Sequence, residues 1–152
     1  MTKKEDFDLH LFLPYLLNQA AETASDGFQR IYKDRYGLLR TDWRVLFHLG
    51  IYGRMTARDI GIMAKVHKTK ISRAVARLEA RRFLQREEDA EDRRVEHLSL
   101  TPAGKAAYRD LYGVAERYDA ALVDGLAPEE TRVLRKALLK LADPAKEPAS
   151  GA

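Results

Sequence analysis

Apolar residues recur at spacings of three and four along most of the chain, a pattern typical of amphipathic helices. The first such segment covers residues 7–36, and Pro14 favours a true helix start near Leu13, because proline suits the first turn of a helix and not its interior. Gly37 predicts its end. The apolar positions are Leu9, Leu13, Leu16, Leu17, Ala20, Ala21, Ala24, Phe28 and Ile31.

Two shorter helices are expected next. Thr41 is predicted to cap a helix over residues 42–49, and Gly50 to end it. After a loop, Thr56 is predicted to cap a third helix, because its hydroxyl can accept a hydrogen bond from a backbone N–H of the first turn. The inner positions of these two helices are Trp43, Val45, Leu46, Leu49, Ala57, Ile60 and Ala64.

A fourth helix and a hairpin follow. The helix is predicted over residues 68–81, with Ile71, Val75 and Leu78 on its inner face. Alternating polar and apolar residues predict strands at residues 83–85 and 96–100, joined by the polar turn 87–94. The middle of the chain is therefore expected to be two short helices followed by a β-hairpin.

The pattern returns to helices after the hairpin. Thr101 followed by Pro102 predicts a sharp helix start, and this fifth helix is expected to run to Gly125. Pro128 predicts the start of a sixth, and the composition of residues 143–152 predicts a disordered tail. The fold class is thus mainly α with a small β-hairpin, in a single domain of 152 residues.

Composition narrows the classes of function. No apolar run reaches the roughly 18 to 20 residues of a membrane span, so we expect a cytosolic protein that does not bind membranes. The chain has no cysteine, which excludes disulfides, thiolate catalysis and zinc fingers. No phosphate-binding glycine loop, nucleophile elbow or metalloprotease motif is present. The sequence therefore predicts no enzyme, no cofactor and no metal site.

Positive charge is concentrated in one place. The net charge is +4, and Glu79 is the only acid between residues 67 and 86. The bases of that stretch are Lys68, Lys70, Arg73, Arg77, Arg81, Arg82 and Arg86. Taken alone, this pattern fits either a solvated helix surface or a nucleic-acid interface, but its position on the second helix of a pair, before a hairpin, favours DNA.

The fourth helix offers suitable side chains for the major groove. Near its start, Lys68, Thr69, Lys70, Ser72 and Arg73 carry the donors and hydroxyls that read base edges. Arg77, one turn beyond Arg73, is better placed for a phosphate.

Residues 45–104 resemble the winged helix-turn-helix of the MarR family of bacterial transcriptional regulators. The most specific pieces are Ser72-Arg73, Arg77-Leu78-Glu79, Asp92-Arg93-Arg94 in the hairpin, and the run LSLTPAG that ends at Gly104. The resemblance implies a DNA-binding lobe at residues 38–104, dimerisation helices at 7–36 and 105–142, and a two-fold homodimer on a pseudo-palindromic site.

The resemblance also assigns roles in the hairpin, or wing. It implies that Arg94 enters the minor groove, where a narrow A·T-rich tract attracts a guanidinium. Asp92 is expected to pair with an arginine of the fourth helix, which is the recognition helix of the family, or with an arginine of the wing. This pairing would orient Arg94. Arg93 is expected either to face a phosphate or to be solvated.

Two positions depart from the family pattern. Arg82 replaces a glycine that many relatives have after the recognition helix, which predicts a different helix exit or local strain. His67 stands where relatives often have a Ser or Thr cap, so the cap comes from His67 or is missing.

The family resemblance also implies control by a small ligand, frequently aromatic or carboxylic. Its cleft could be lined by His10, Tyr15, Trp43, Arg44 and His48, although a tryptophan such as Trp43 is more often a core anchor and a histidine such as His48 a satisfied surface or core residue. The predicted function is a DNA-binding regulator, most simply a repressor released by this ligand. The alternative is a winged helix that binds a protein partner, without specific DNA binding.

Overall fold

The computed structural model describes residues 6–143, so the predicted tail lies outside the described residues apart from Asp143. These residues form two compact units, divided after Ala115, which are described separately below. A short 3-10 turn, Leu9–Leu11, precedes the regular elements. These are α1 (Leu13–Tyr36), α2 (Arg40–Tyr52), β1 (Met55–Thr56), α3 (Ala57–Ala64), α4 (Lys68–Ala80), β2 (Leu84–Glu88), β3 (Glu96–Leu100), α5 (Pro102–Leu122) and α6 (Pro128–Ala142). The mainly α fold class with a small β component is confirmed.

The limits of α1 follow the sequence. Pro14 lies in its first turn, and Gly37 ends it with a left-handed backbone (φ 65°). Because glycine has no Cβ, this conformation is without steric penalty there. The Gly37 N–H donates to the carbonyl of Lys33 at 2.8 Å, which closes the helix as predicted.

Helix α2 corrects two predictions. Its N-cap is Leu39, not Thr41, because the Asp42 carboxylate accepts the Leu39 N–H at 2.8 Å and fixes an earlier start. The helix also passes through Gly50 and ends at Gly53. Gly50 lies under the Tyr108 ring, which a Cβ at this position would overlap. The glycine therefore permits close packing and does not terminate the helix.

Helix α4 is capped at both ends by the two unusual residues. The His67 Nδ1 accepts the Thr69 N–H at 3.1 Å, so the cap does come from His67. At the other end, Arg82 has a left-handed backbone (φ 63°), and the N–H groups of Arg82 and Phe83 donate to the carbonyls of Glu79 and Leu78, both at 2.9 Å. This is the Schellman arrangement that glycine normally completes. The strain expected at Arg82 is present.

The sheet is antiparallel, in the order β1-β3-β2. The predicted second strand of the hairpin has the right limits, whereas the first is shifted and longer, at 84–88 instead of 83–85. The strand continues through its polar residues because each of them pairs with a residue of β3, from Leu84 opposite Leu100 to Glu88 opposite Glu96. Strand β1 was not predicted, since two residues are too few for a periodic signal.

The core of the first unit joins all of its helices to the sheet. Its fully buried apolar side chains are Tyr32, Leu38, Val45, Leu46, Ile60, Ile71, Ala74, Val75, Leu78, Leu98 and Leu111, each at most 1% exposed. The start of α5 fits tightly against the hairpin: the Thr101 hydroxyl accepts the Gly104 N–H at 3.0 Å, and a Cβ at Gly104 would overlap the Phe83 carbonyl. The predicted cap at Thr101 is confirmed, and the lobe and hairpin are held together.

The second unit contains the end of α5 and all of α6. An ion pair between Arg135 and Asp119 (2.8 Å) links the two helices. Helix α6 has large apolar side chains that are exposed in the single chain: Val133, Leu134, Leu138, Leu139 and Leu141. None of the helices in the described part of the chain combines the length and the apolar composition that a membrane span requires.

Candidate nucleic-acid interface

The outer face of α4 is a short row of unpaired cations. Lys68, Lys70 and Arg73 are exposed, together with the hydroxyl residues Thr69 and Ser72. Residues 71, 74, 75 and 78 of the same helix are buried, so the opposite face is fixed in the core. Within the described part of the chain, none of the three cations has a carboxylate within 4.0 Å. This face can donate hydrogen bonds to an external acceptor.

Arg77 differs from its neighbours because an internal acid binds it. Its Nε donates to both carboxylate oxygens of Asp42, at 2.9 and 3.1 Å, and a terminal nitrogen lies 2.8 Å from Oδ1. Asp42 is fully buried, and Arg77 is about one-third exposed. The pair joins α2 to α4, a role that the sequence did not indicate. The phosphate contact suggested for Arg77 stays a prediction.

Two further bases of the sequence cluster are also engaged within the protein. Arg81 donates to the Gly37 carbonyl at 2.9 Å, and Arg86 pairs with Glu79 at 3.1 Å and with Glu96 at 3.7 Å. The positive stretch seen in the sequence is therefore narrower in space. Its outward-facing part is the first half of α4, together with the exposed Arg82 beyond the end of the helix.

The turn of the wing is organised by Asp89. This carboxylate accepts the N–H groups of Glu91 and Asp92, each at 3.0 Å, and lies 2.9 Å from the Nε2 of His97 on β3. The hydrogen bond from His97, followed by the two backbone bonds, lowers the pKa of Asp89 to about 2. Three bonds to one ionised group thus shape the turn.

Asp92 in turn orients Arg94. Its Oδ1 accepts the backbone N–H of Arg94 at 3.0 Å and the Nε at 3.1 Å, while Oδ2 accepts a terminal N–H at 3.2 Å. The Arg94 side chain hydrogen bond is the main reason that the pKa of Asp92 is lowered. Arg94 is nevertheless 91% exposed, so its guanidinium is aimed and still accessible. Of the two partners considered for Asp92, the structure has the wing arginine. Arg93 is exposed beside it.

Sequence reasoning missed Arg58. This exposed arginine in the first turn of α3 lines two clefts, one shared with Lys68 and Ser72 of α4 and the other with Arg86 and Arg94 of the wing. It therefore lies between the two elements expected to meet DNA. The available signal was a cation in a first helical turn, where the helix dipole disfavours it.

The residues suggested for a ligand cleft separate into two groups. Trp43, Arg44 and His48 line a cavity of about 300 Å³, together with Phe47, Ile51, Tyr52 and Ala64. Trp43 also packs against Phe28 and Phe47, with ring centroids 5.4 and 5.2 Å apart, so it serves the aromatic core as well. His48 contacts the Arg44 carbonyl at 2.6 Å through Nδ1.

His10 and Tyr15 do not line this cavity. Their rings pack edge to face at 5.9 Å around the start of α1. The structure therefore brings together three of the five suggested residues. A role for all five as a ligand site stays a prediction.

Helices α3 and α4 form a pair of short helices, and the second of them has a basic outer face. An antiparallel wing follows, and this arrangement defines a winged helix-turn-helix protein. Residues 36–95 match the sequence model of the MarR family. The HTH-type transcriptional regulator YwaE of Bacillus subtilis, itself uncharacterized, is 29% identical over 108 residues, or 71% of this chain and 63% of that protein. The match spans slightly less than two thirds of this relative's length.

Solved structures have the same architecture. BpsR of Bordetella bronchiseptica, whose DNA binding is regulated by 6-hydroxynicotinic acid, is 27% identical with a TM-score of 0.79, over 86% of this chain and 98% of that one. A variant of MarR from E. coli in complex with operator DNA has a TM-score of 0.80 over 92% and 100% of the two chains. At 18% identity, the second likeness concerns the fold alone.

Proposed function

We propose that the chain is a sequence-specific regulator of transcription that binds double-stranded DNA, with α4 in the major groove and the wing in the minor groove. One observation carries the proposal: Lys68, Lys70 and Arg73 point outward without an internal acid, while Arg94 is held by Asp92 and remains 91% exposed. Arg77 and Arg86 of the same basic stretch, by contrast, are paired within the protein. The proposed place of action is the cytosol, where bacterial DNA is located.

The side chains have distinct proposed roles. Arg73 reads a base edge, most simply a guanine through its guanidinium fork, with Thr69 and Ser72 as shorter contacts. Lys68, Lys70 and Arg93 neutralise phosphates, as does Arg58 between α3 and the wing. Arg94 enters a narrow minor groove, and Asp92 fixes its approach.

A homodimer is the proposed DNA-binding form. The apolar side chains of α1 and those of α6 are exposed in the single chain, including Leu13, Leu16, Leu134 and Leu138. Such surfaces on a soluble protein favour burial against a second copy. A two-fold dimer fits half-sites about one helical turn apart, or roughly 10 base pairs.

The proposed control is release of DNA by a small aromatic or carboxylic effector, which would make the protein a repressor. The cavity beside α2 supports this, since Arg44 offers a charge to a carboxylate while Trp43 and Phe47 offer an aromatic wall. The regulation of BpsR by 6-hydroxynicotinic acid is an example of such control in a protein of similar fold and sequence.

The test begins with the selection of bound duplexes from a random DNA pool. Affinities for a selected duplex and for a shuffled one are then measured by fluorescence anisotropy. Arg73→Ala is expected to weaken the selected complex by about 1 to 3 kcal/mol and to relax one base preference. The control is Arg30→Ala, at an exposed position of α1, which is expected to bind like the unchanged protein.

Failure to enrich any sequence would contradict the proposal and would favour a protein-binding module. Equal weakening of the selected and shuffled complexes by Arg73→Ala would contradict the base-reading role alone.

A further inference from the structure

A second cavity lies at the base of the wing. It has a volume of about 470 Å³ and is bounded by the end of α2, strands β2 and β3, and the first two turns of α5. It shares no lining residue with the cavity beside Trp43 and Arg44. The two spaces are therefore separate.

Three cations line this cavity: Arg54, Lys105 and Arg109. No acid lines it. Within the described residues, neither Lys105 nor Arg109 has a carboxylate within 4.0 Å, and Arg54 has a loose pair with Glu87 at 3.7 Å. Asp110, next to Arg109, pairs instead with Arg35 at 3.0 Å. Three positive charges thus meet at one cavity with a single weakly held counter-charge.

The placement of these cations is unfavourable for the fold. Lys105 and Arg109 are four residues apart on α5, so their like charges repel on one helix face. Lys105 also lies near the start of α5, where the helix dipole disfavours a cation. A bound anion would relieve both penalties.

The rest of the cavity lining can contact the apolar part of an organic molecule. Leu49 and Leu100 are buried and line the cavity with the ring of Tyr108, which packs over Gly50. Gln85 and Ser99, opposite each other on β2 and β3, add polar atoms. The cavity therefore combines cations, hydrogen-bonding groups and an apolar surface.

We propose that this cavity binds a small organic anion that carries two acidic groups on an apolar or aromatic body. A dianion balances the charge left by the three cations and Glu87. The apolar wall favours an organic molecule over an inorganic ion, and the volume excludes a macromolecule.

Occupancy of this site acts on the wing, a consequence that rests on the proposed DNA-binding function. An acidic group of the ligand competes with Glu87 for Arg54, and Glu87 belongs to β2. Gln85 and Ser99 lie in the same strand pair that supports Arg94 at its far end. A ligand here therefore changes the wing without touching α4.

Isothermal titration of the full chain without DNA tests the site, with phthalate and phenyl phosphate as probes and benzamide as the uncharged control, at about 0.15 M ionic strength. Both probes are expected to saturate a site that depends on Lys105 and Arg109, and benzamide is not. Lys105→Gln and Arg109→Gln should each weaken binding about fivefold or more, whereas Arg109→Lys should retain most of it because the charge remains.

Two further variants locate the site. Lys33→Gln, at an exposed position of α1, is expected to bind the probes normally, whereas Arg44→Gln is expected to change only binding in the separate cavity beside α2. Circular dichroism checks that each variant is folded. The proposal is overturned if neither probe saturates, if the two α5 variants bind like the unchanged protein, or if Arg44→Gln alone loses binding.

The result is independent of the proposed function because no DNA is present. Saturable binding without any DNA selectivity would overturn the proposed function and leave the anion site standing. DNA selectivity without anion binding would do the reverse.

Discussion

The recognition helix and the wing are held in place in different ways. Helix α4 has four buried side chains and an internal ion pair with a fully buried acid. Hydrogen bonds also cap both of its ends. The wing beyond Leu84 has little burial on β2, and its turn depends on hydrogen bonds to Asp89 and Asp92. Because the core fixes one element and exposed polar bonds fix the other, substitutions should separate fold stability from DNA affinity.

The largest effect is expected at Arg77. Among the described residues, removing its guanidinium leaves Asp42 buried with only the Leu39 N–H as partner, so Arg77→Ala should lower the free energy of unfolding by about 2 to 4 kcal/mol. Urea unfolding measures it. Arg73→Ala is the matched control on the same helix, and its unfolding free energy should change by less than about 0.5 kcal/mol. Equal stabilities of the two variants would contradict the structural role of Arg77.

In the wing, the effect should fall on DNA and not on stability. Arg94→Ala is expected to lower affinity for selected sites with A·T-rich flanks about tenfold, or ~1.4 kcal/mol, because it removes the exposed guanidinium. Anisotropy with A·T-rich and G·C-rich flanks measures the difference. An affinity loss that is independent of the flanks would argue against minor-groove insertion.

The sequence predicted most of the lobe because its signals were local. Thr56, Thr101 and Pro102 cap or start helices through their immediate neighbours, and the spacing of Ile71, Val75 and Leu78 depends only on helix geometry. The end of α2 was missed because Gly50 acts through a partner distant in the chain, Tyr108. Its start was missed because the local bond from the Leu39 N–H to Asp42 competes with the equally plausible cap at Thr41. Strand β1 depends on pairing with residues more than 40 positions away.

The candidate site was likewise predictable only as far as its signals are local in the sequence. The sequence identified the basic residues of α4 and the wing. It did not show which of these cations are paired with acids inside the protein. Arg77 and Arg86 look like Arg73 in the sequence, yet both are paired in the structure. Arg58 was missed because its importance comes from the position of α3 between α4 and the wing.

A smaller change is expected at the junction between the two elements. A non-glycine residue in the left-handed region is destabilised by about 1 to 2 kcal/mol. Glycine relieves this strain, but its greater freedom in the unfolded chain offsets part of the relief. Arg82→Gly should therefore raise the free energy of unfolding by about 0.5 to 1 kcal/mol. Urea unfolding tests it, with Arg82→Ala as the control that keeps the strain. A less stable glycine variant would contradict strain at this position.

The smallest effect concerns the pH dependence of the wing. The pKa of Asp89 is lowered from 3.8 to about 2, so the bonds to this carboxylate stabilise the folded wing above pH 3.8 and are lost as the pH falls through about 2. The amide resonances of Glu91 and Asp92 should shift over this window. Asp89→Asn, which removes the charge, should abolish the transition. Titration of these amides near the ordinary pKa would contradict the network.

The outward cations of α4 and the wing are proposed to bind duplex DNA. The most direct measurement is the affinity for a selected duplex as a function of salt. If the dimer makes 6 to 10 phosphate contacts, affinity should fall by about 10³ to 10⁵ between 50 and 200 mM salt, on a linear double-logarithmic plot. An affinity that does not change with salt, or no measurable binding at 50 mM, would contradict the claim.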